Sequence, residues 1–177
     1  ITDHHDVPYE ETDNGRRYII PKAAAVVDPK QNDCGYPFKM LCGAGIAYKF
    51  IDCMVKEFKT GDSVMPELLQ FAAIATVGDI VDLLDENRII VKEGLKLIAN
   101  TENYGLNALM AVTGVSRESI NAYHIGFVLG PCLNASGRLD SAKRALKMLV
   151  TDDRAEAERH AGELKDLNES ARNLLPK

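Results

Sequence analysis

The sequence predicts an α/β protein in which helices outweigh strands. Several stretches place apolar residues every three or four positions, as one face of a helix does, and the clearest runs from Ala44 to Phe58. Two β-branched or small apolar runs, Ile1-Thr2 and Ala23–Val27, predict the end of one strand and a second, buried strand. Active sites of open α/β sheets lie at the carboxyl ends of strands, so the residues after Thr2 are site candidates.

The other elements follow in order along the chain. Residues 6–22 predict a polar loop with a turn at Asn14-Gly15, and Tyr18–Ile20 predicts a brief strand. Caps and apolar spacing then predict seven helices. These run over Gly43–Phe58, Pro66–Thr76, Arg88–Ala99, Asn103–Thr113, Ser116–Tyr123, Leu139–Val150 and Asp152–Leu175. Thr151 is the predicted cap of the last helix, Asp85–Asn87 caps the third, and the apolar face of the sixth comprises Ala142, Ala145, Leu146 and Leu149. The last has a narrow apolar stripe at Ala157, Ala161, Leu164, Ala171 and Leu175, which suits a connecting helix.

Charge and cysteine content exclude several classes of protein. The net charge of −5 provides no general basic field, so contacts to nucleic acid would depend on a few local arginines. The four cysteines form no Cys-x-x-Cys pair, which argues against a zinc finger or a thioredoxin-like site. No apolar run approaches a membrane span and no signal peptide is recognised, so we expect a cytoplasmic protein with reduced thiols.

The residues after Thr2 carry the clearest candidate chemistry. Asp3, His4 and His5 place one carboxylate and two imidazoles in a row, which are donors suited to a divalent metal or to proton transfer. If the strand continued, Asp3 and His5 would point to one face and His4 to the other. An ordinary polar turn could have the same three residues, so the motif alone leaves both interpretations open.

A second candidate lies in the run Val77–Leu84, where two acids interrupt apolar residues. A buried carboxylate is unfavourable unless it is paired or bound to a metal, so an acid in such a run is a candidate ligand. We favour a site for Asp79. For Asp82 we favour a helix cap or an exposed turn.

Two stretches rich in small residues have alternative interpretations. Gly43 and Gly45 let a backbone approach a phosphate at the start of the first helix, or they simply allow close packing. Residues 130–138 predict either a loop whose N–H groups form an anion nest beside Arg138, or a plain interhelical turn. His124 is predicted to be a structural or surface histidine.

Four segments, in this order, resemble the DHH phosphoesterase superfamily and, within it, the RecJ-type exonucleases specific for single-stranded DNA. The segments are residues 2–5, residues 27–29 leading to 41–49, residues 76–83 followed by 86–88 and 93–95, and residues 130–139. The first and third are typical of the superfamily, whereas the second and fourth indicate RecJ. Together they span nearly the whole chain.

The resemblance implies the helix-rich part of a DHH-domain parallel-sheet fold. It also implies a phosphodiesterase that works with two metal ions, usually Mn²⁺ or Mg²⁺. His4 and Asp79 match metal ligands, and His5 matches the histidine that faces the scissile phosphate. Asp3 matches a group that orients its neighbour.

The implied substrate is single-stranded DNA, digested from its 5′ end in DNA repair and recombination. Asn134 and Arg138 match the loop that holds the DNA backbone, with Gly43 and Gly45 as further phosphate contacts. One alternative is another DHH-family phosphodiesterase, acting on short oligonucleotides or cyclic dinucleotides, or a pyrophosphatase. Residues 133–138 argue against it. A binding module without catalysis is a third possibility, against which the intact acids and histidines argue.

Some family features have no counterpart in the sequence. The earlier aspartate-rich motifs that complete the metal cage are absent, as is the DHHA1 domain, and Cys132 stands where an Arg is common. We therefore expect residues 1–150 to be the C-terminal part of a DHH domain that lacks its first strands. Residues 151–177 would be a connecting helix toward the DHHA1 domain.

Two expectations follow for the isolated chain. Mg²⁺ or Mn²⁺ held only by His4 and Asp79 would bind weakly, so we expect no useful nuclease activity. The open strand edge near Ile1 and residues 23–27 would allow self-association through added strand pairing.

Overall fold

The computed structural model describes residues 1–139 and 141–173, with the side chains of residues 138 and 139 outside that description. Two compact units, Ile1–Val91 and Lys92–Lys177, divide inside the third helix. The strands are β1 (Tyr9–Thr12) and β2 (Gly15–Tyr18). The helices are α1 (Gly43–Phe58), α2 (Met65–Gly78), α3 (Asp85–Ala99), α4 (Tyr104–Thr113), α5 (Ala122–His124), α6 (Gly130–Leu139), α7 (Lys143–Val150) and α8 (Arg154–Asn173), with a 3₁₀ turn (Arg117–Ser119) and a π-helical segment (Ile125–Leu129). None of the described helices is long and apolar enough to cross a membrane.

The start of the chain pairs in parallel with Val27. The Val27 N–H donates to the Ile1 carbonyl (N···O 2.9 Å), and the Asp3 N–H donates to the Val27 carbonyl (3.0 Å). The prediction of a buried strand over Ala23–Val27 is wrong, because only Val27 forms this bridge and the three alanines are exposed. Small alanine side chains bury too little apolar area to hold the segment against a core.

Residues 6–22, predicted to be a polar loop, contain an exposed antiparallel hairpin of β1 and β2. Thr12 pairs with Gly15 across the turn, and Gly15 has a φ of +102°, which confirms the predicted turn. The two central pairs each join a glutamate of β1 to an arginine of β2. These ion pairs and an edge-to-face contact between the Tyr9 and Tyr18 rings therefore accompany the backbone ladder, and no residue of either strand is buried. The predicted strand Tyr18–Ile20 overlaps β2 only at its first residue.

The first unit has a small core where α1 meets α2. Its buried residues are Leu41, Ile46, Ala72, Ala73 and Ile90. The predicted apolar face of α1 is only partly correct, because most of it is half-buried and Phe58 is 67% exposed. Close packing is confined to the first turns of α1, where Gly45 and Ile46 are buried.

A charged group of three side chains joins α1 to the start of α3. The Tyr36 hydroxyl donates to Glu86 Oε1 (2.6 Å), and the Lys49 ammonium donates to Glu86 Oε2. Burial disfavours the ionised carboxylate, but the hydrogen bonds from Lys49 and Tyr36 outweigh it and hold the pKa of Glu86 below its ordinary value of 4.5. The group therefore ties three separate segments together through one carboxylate.

Asn87 is fully buried beside this group. Its Nδ2 donates to the carbonyl oxygens of Met40 (2.7 Å) and Asp82 (2.9 Å). The amide thus fixes the segment that leads into α1 against the segment that follows α2. The sequence predicts Asn87 to lie in a helix cap and in the third family-like segment, but it does not predict these buried hydrogen bonds.

The second unit is built on α8, which packs against α4, α6 and α7. Ala157, Ala161 and Leu164 are fully buried there, which confirms that part of the predicted apolar stripe. Leu175, the last predicted member, lies outside the described residues. The helix begins after Asp153, whose carboxylate accepts the Ala155 N–H (2.8 Å), and not after the predicted cap Thr151.

The helix predicted over Leu139–Val150 is described only as α7, from Lys143 onward. Met148 is its fully buried side chain, whereas Leu146, assigned to the apolar face, is 59% exposed. α7 packs against α4 and α8, and Met148 is the side chain that this contact buries fully.

We expect Gly105→Ala to lower the free energy of unfolding of the second unit by about 3 kcal/mol. A Cβ at residue 105 would lie 2.1 Å from the Met148 carbonyl oxygen, where α4 passes α7. Gly162→Ala is the matched control. Nothing lies within 4 Å of a Cβ there, so alanine inside α8 should stabilise by about 0.5–1 kcal/mol. Urea unfolding measures both, and equal midpoints would rule out the close approach at Gly105.

We expect Glu86→Gln to destabilise the chain by roughly 1–3 kcal/mol at pH 7 and by progressively less as the pH falls from 4.5 toward 3. The folded pKa of Glu86 is lowered, so its stabilisation is complete above the ordinary value of 4.5 and is lost as the pH falls through the folded pKa. Thermal unfolding across this pH range measures the difference. Glu93→Gln, which removes an exposed carboxylate, is the control. A constant Glu86→Gln effect down to pH 3 would contradict the ion-pair account.

Candidate metal centre

The Asp3 carboxylate organises the backbone and one imidazole of the Asp-His-His motif. Its Oδ1 accepts the N–H groups of His4 (2.7 Å) and His5 (3.3 Å), and it lies 2.7 Å from His5 Nδ1. The hydrogen bond from the His5 ring, together with those from the two backbone N–H groups, lowers the pKa of Asp3 to about 2. The chain turns at once after the strand end, and Asp3 holds the His5 ring on its own side.

The His4 imidazole points to a different carboxylate. Its Nδ1 lies 3.4 Å from Asp79 Oδ2, although the two residues are 75 positions apart in sequence. His4 is mostly buried, with 21% of its side chain exposed, and its ring lies 4.3 Å from that of His5. The parallel bridge at Thr2 and the end of α2 therefore bring an imidazole and a carboxylate to one point.

The burial argument for Asp79 is wrong, although the residue is at the site. Asp79 ends α2, with its N–H donated to the Ala75 carbonyl (2.8 Å), and 41% of its side chain is exposed. The neighbouring Ile80 is 91% exposed with a φ of +59°, so this run is a surface turn and not a buried strand. Asp82 is exposed, as favoured from the sequence.

The donors at this point fit part of a divalent metal shell. An imidazole nitrogen and a carboxylate oxygen suit Mn²⁺, and a carboxylate suits Mg²⁺. Within residues 1–139 and 141–173, however, no group of three His, Cys, Asp or Glu side chains converges. Two donors are short of the six that an octahedral ion takes, so His4 and Asp79 supply part of a coordination shell.

The two glycines of α1 differ in their surroundings. A Cβ on Gly43 would lie 3.3 Å from Cδ2 of the His4 ring, so the missing side chain makes room for this imidazole. Gly45 is buried, and its N–H is donated to Cys42 Sγ (3.4 Å). For Gly45 the structure supports the packing interpretation over a phosphate contact. Cys42, which caps α1 and lies 3.4 Å from Thr76 Oγ1, was missed by the sequence analysis.

The stretch 130–138 is helical, so the prediction of a loop with an anion nest is wrong. α5, the π-helical segment and α6 follow one another without a break, and the Gly130 N–H is donated to the Ile125 carbonyl. A Cβ on Gly130 would lie 2.8 Å from that oxygen. Glycine is therefore needed for a close approach within the helix, and its N–H is not free for an anion.

α6 has a buried face and an exposed face. Cys132, Ala135 and Ser136 are buried, so Cys132 offers no contact to a strand of DNA, while Asn134 is exposed. The Arg138 side chain lies outside the described residues. The structure therefore joins Asp3, His4, His5, Asp79 and Gly43 in the first unit, and places Asn134 and residue 138 in the second.

Sequence comparison finds relatives along the whole chain, although no family model matches it. The single-stranded-DNA-specific exonuclease RecJ of Bacillus subtilis is 38% identical over 177 residues, which are 100% of this chain and 21% of that protein. The exonuclease of the same name from Escherichia coli K12 is 32% identical over 184 residues, covering 98% of this chain and 30% of that protein.

Solved structures agree with these relatives. RecJ from Thermus thermophilus in complex with Mn²⁺ has a TM-score of 0.76 and 32% identity, over 88% of this chain and 23% of that one. A crystal structure of exonuclease RecJ bound to manganese has a TM-score of 0.77 and 32% identity, over 88% of this chain and 39% of that one. These matches confirm the helix-rich DHH-type fold. Along nearly its whole length the chain is thus similar to RecJ exonucleases, and it spans 21–30% of the length of the curated relatives named above.

Proposed function

We propose that this chain forms part of a metal-dependent 5′-to-3′ exonuclease that hydrolyses phosphodiester bonds of single-stranded DNA. The observation that carries the proposal is the convergence of two acid–imidazole pairs, Asp3–His5 and His4–Asp79, at one strand end. Relatives that match the whole chain are exonucleases specific for single-stranded DNA, and solved RecJ structures contain Mn²⁺ or Mg²⁺.

His4 and Asp79 are the residues that would hold the metal in this proposal. Their polar atoms already lie 3.4 Å apart, close enough for one ion to share both. Mn²⁺ or Mg²⁺ would supply charge neutralisation and Lewis acidity toward a phosphodiester. Gly43 keeps the space beside His4 open, so that the imidazole is not pushed away from Asp79.

His5 would contact the scissile phosphate, with Asp3 as its positioning residue. The low pKa of Asp3 keeps this carboxylate charged, which favours a proton on the facing Nδ1 of His5. The His5 side chain is 77% exposed, so its other nitrogen is accessible to a substrate oxygen. Asn134 and Arg138 would contact the DNA backbone from the second unit.

The remaining proposals concern the larger protein. The exposed edge at Ile1 and Val27 would pair with a further strand, from the same protein or from a second copy. α8 is packed into the second unit, and its C-terminal end would lead toward a further domain. All four cysteines are free thiols, which agrees with a cytoplasmic location beside the DNA.

Digestion of a labelled single strand tests the proposal in the full-length protein that contains this segment. With Mn²⁺ it should release mononucleotides from the 5′ end. Asp79→Asn should lower the rate by at least about 100-fold by removing a metal ligand, and His5→Ala by about 10²–10⁴-fold. Asp82→Asn, which removes an exposed carboxylate of the same turn, is the control and should stay within about twofold.

Other outcomes would redirect or overturn the assignment. Digestion of di- to tetranucleotides, with long strands left intact, would support the short-oligonucleotide class instead. Full activity of the His5→Ala variant would show that the His5 imidazole takes no part in catalysis.

Arg138→Ala tests the DNA-backbone contact. We expect it to weaken binding of a single strand by about 5–50-fold, because a guanidinium contact to phosphate is lost. Mn²⁺ affinity should not change. Fluorescence anisotropy of a labelled strand and Mn²⁺ electron paramagnetic resonance measure the two effects. If Mn²⁺ binding weakened to the same extent, the role of residue 138 would be structural and not a contact to DNA.

A further inference from the structure

The second unit has a cleft of about 450 Å³ that is lined by basic side chains of α7 and α8. Its lining includes Ser141, Lys143, Arg144, Lys147, Arg159 and His160. Among the lining residues that the structure describes, Glu163 is the one carboxylate beside four permanent cations. This concentration of positive charge contrasts with the net charge of −5 for the whole chain.

The arginines of the cleft are held in place by the acids of α8. Arg144 Nη1 and Arg159 Nη1 donate to the carboxylate of Glu163 at 2.8 and 2.7 Å. His160 lies beneath them, 6% exposed, between Glu156 and Glu163. Glu163 thus fixes two guanidinium groups at the cleft, and Arg159 Nη2 also contacts His160 Nε2 (3.1 Å).

The lysines are different, because they have no described partner. Lys143 and Lys147 are exposed and make no side-chain hydrogen bond or ion pair with residues 1–139 or 141–173. They are four residues apart on α7, which places them one helical turn apart on the same face. Two like charges held this close repel each other unless an anion lies between them.

We propose that this α7–α8 cleft binds successive phosphate groups of a single nucleic-acid strand. Glu163 offsets part of the arginine charge, whereas the two lysines have no described partner and form a short row rather than a point, which suits successive phosphates. The lining has no large apolar side chain, whereas the centre of a protein docking surface is apolar. The inference rests on the proposed function, since it names a second contact for the same substrate.

Salt-dependent DNA binding tests this contact in the full-length protein that contains the segment. The probe is a labelled single strand of about 20 nucleotides. The double variant Lys143→Gln/Lys147→Gln should bind it about 5–20-fold more weakly at low salt. The slope of log K against log salt should fall by about 1.4, since each phosphate contact to a single strand contributes about 0.7. The control Lys22→Gln/Lys92→Gln removes the same charge from exposed sites outside α7 and α8 and should leave the slope unchanged.

The outcomes separate this inference from the proposed function. If the protein digests single strands but the α7 variant keeps the wild-type slope, the cleft contact is wrong and the proposed function stands. If neither the wild-type protein nor the α7 variant digests DNA, but the variant still has the smaller salt slope, the cleft contact stands and the proposed function is wrong. Displacement of the strand by polyglutamate as readily as by unlabelled DNA would overturn the inference in favour of an acidic protein. Equal displacement by inorganic phosphate would reduce the cleft to a single-anion site.

Discussion

The buried amide of Asn87 is the contact on which the first unit depends. Its two N–H groups hold the Met40 and Asp82 carbonyls, and these carbonyls belong to the segments on either side of the candidate metal centre. One segment begins α1, where Gly43 makes room for His4, and the other carries Asp79. The Asn87 Oδ1 is buried without a partner among the described residues, so the amide is kept despite a desolvation cost. No apolar side chain could hold both carbonyls.

The adjacent histidines acquire different properties because they have different carboxylate partners. His5 is held by Asp3, two residues away, in an exposed and local contact. His4 instead faces Asp79, which only the folded unit brings near. One imidazole is thus oriented by a local contact and the other by the fold of the unit. In the proposed function, the motif would bind a cation through one ring and contact a substrate through the other, because each ring has its own carboxylate partner.

The sequence predicted where helices lie better than it predicted which residues are buried. Chemistry and resemblance singled out His4 and Asp79 as candidates, and their side chains do lie close together, but Asp79 was assigned to a buried run that is in fact exposed. Periodicity predicted α1 and α8 but assigned the wrong buried face to α7. The contact of α7 with α4 and α8 buries Met148, whereas Leu146 stays exposed. The loop assigned to residues 130–138 failed for a related reason. Glycine and proline usually break helices, and no local rule predicts a π-helical segment that accommodates them.

The π-helical segment Ile125–Leu129 has a consequence for how related sequences are aligned. Such a segment is equivalent to one extra residue inserted into a regular helix. Deleting one residue there would rotate α6 by about 100° relative to the preceding turn, since a regular helix has 3.6 residues per turn. Asn134 would leave the exposed face, and the buried Ser136 would turn toward water. A one-residue gap at this point in an alignment therefore changes which residues of α6 are exposed, and is not a neutral difference in length.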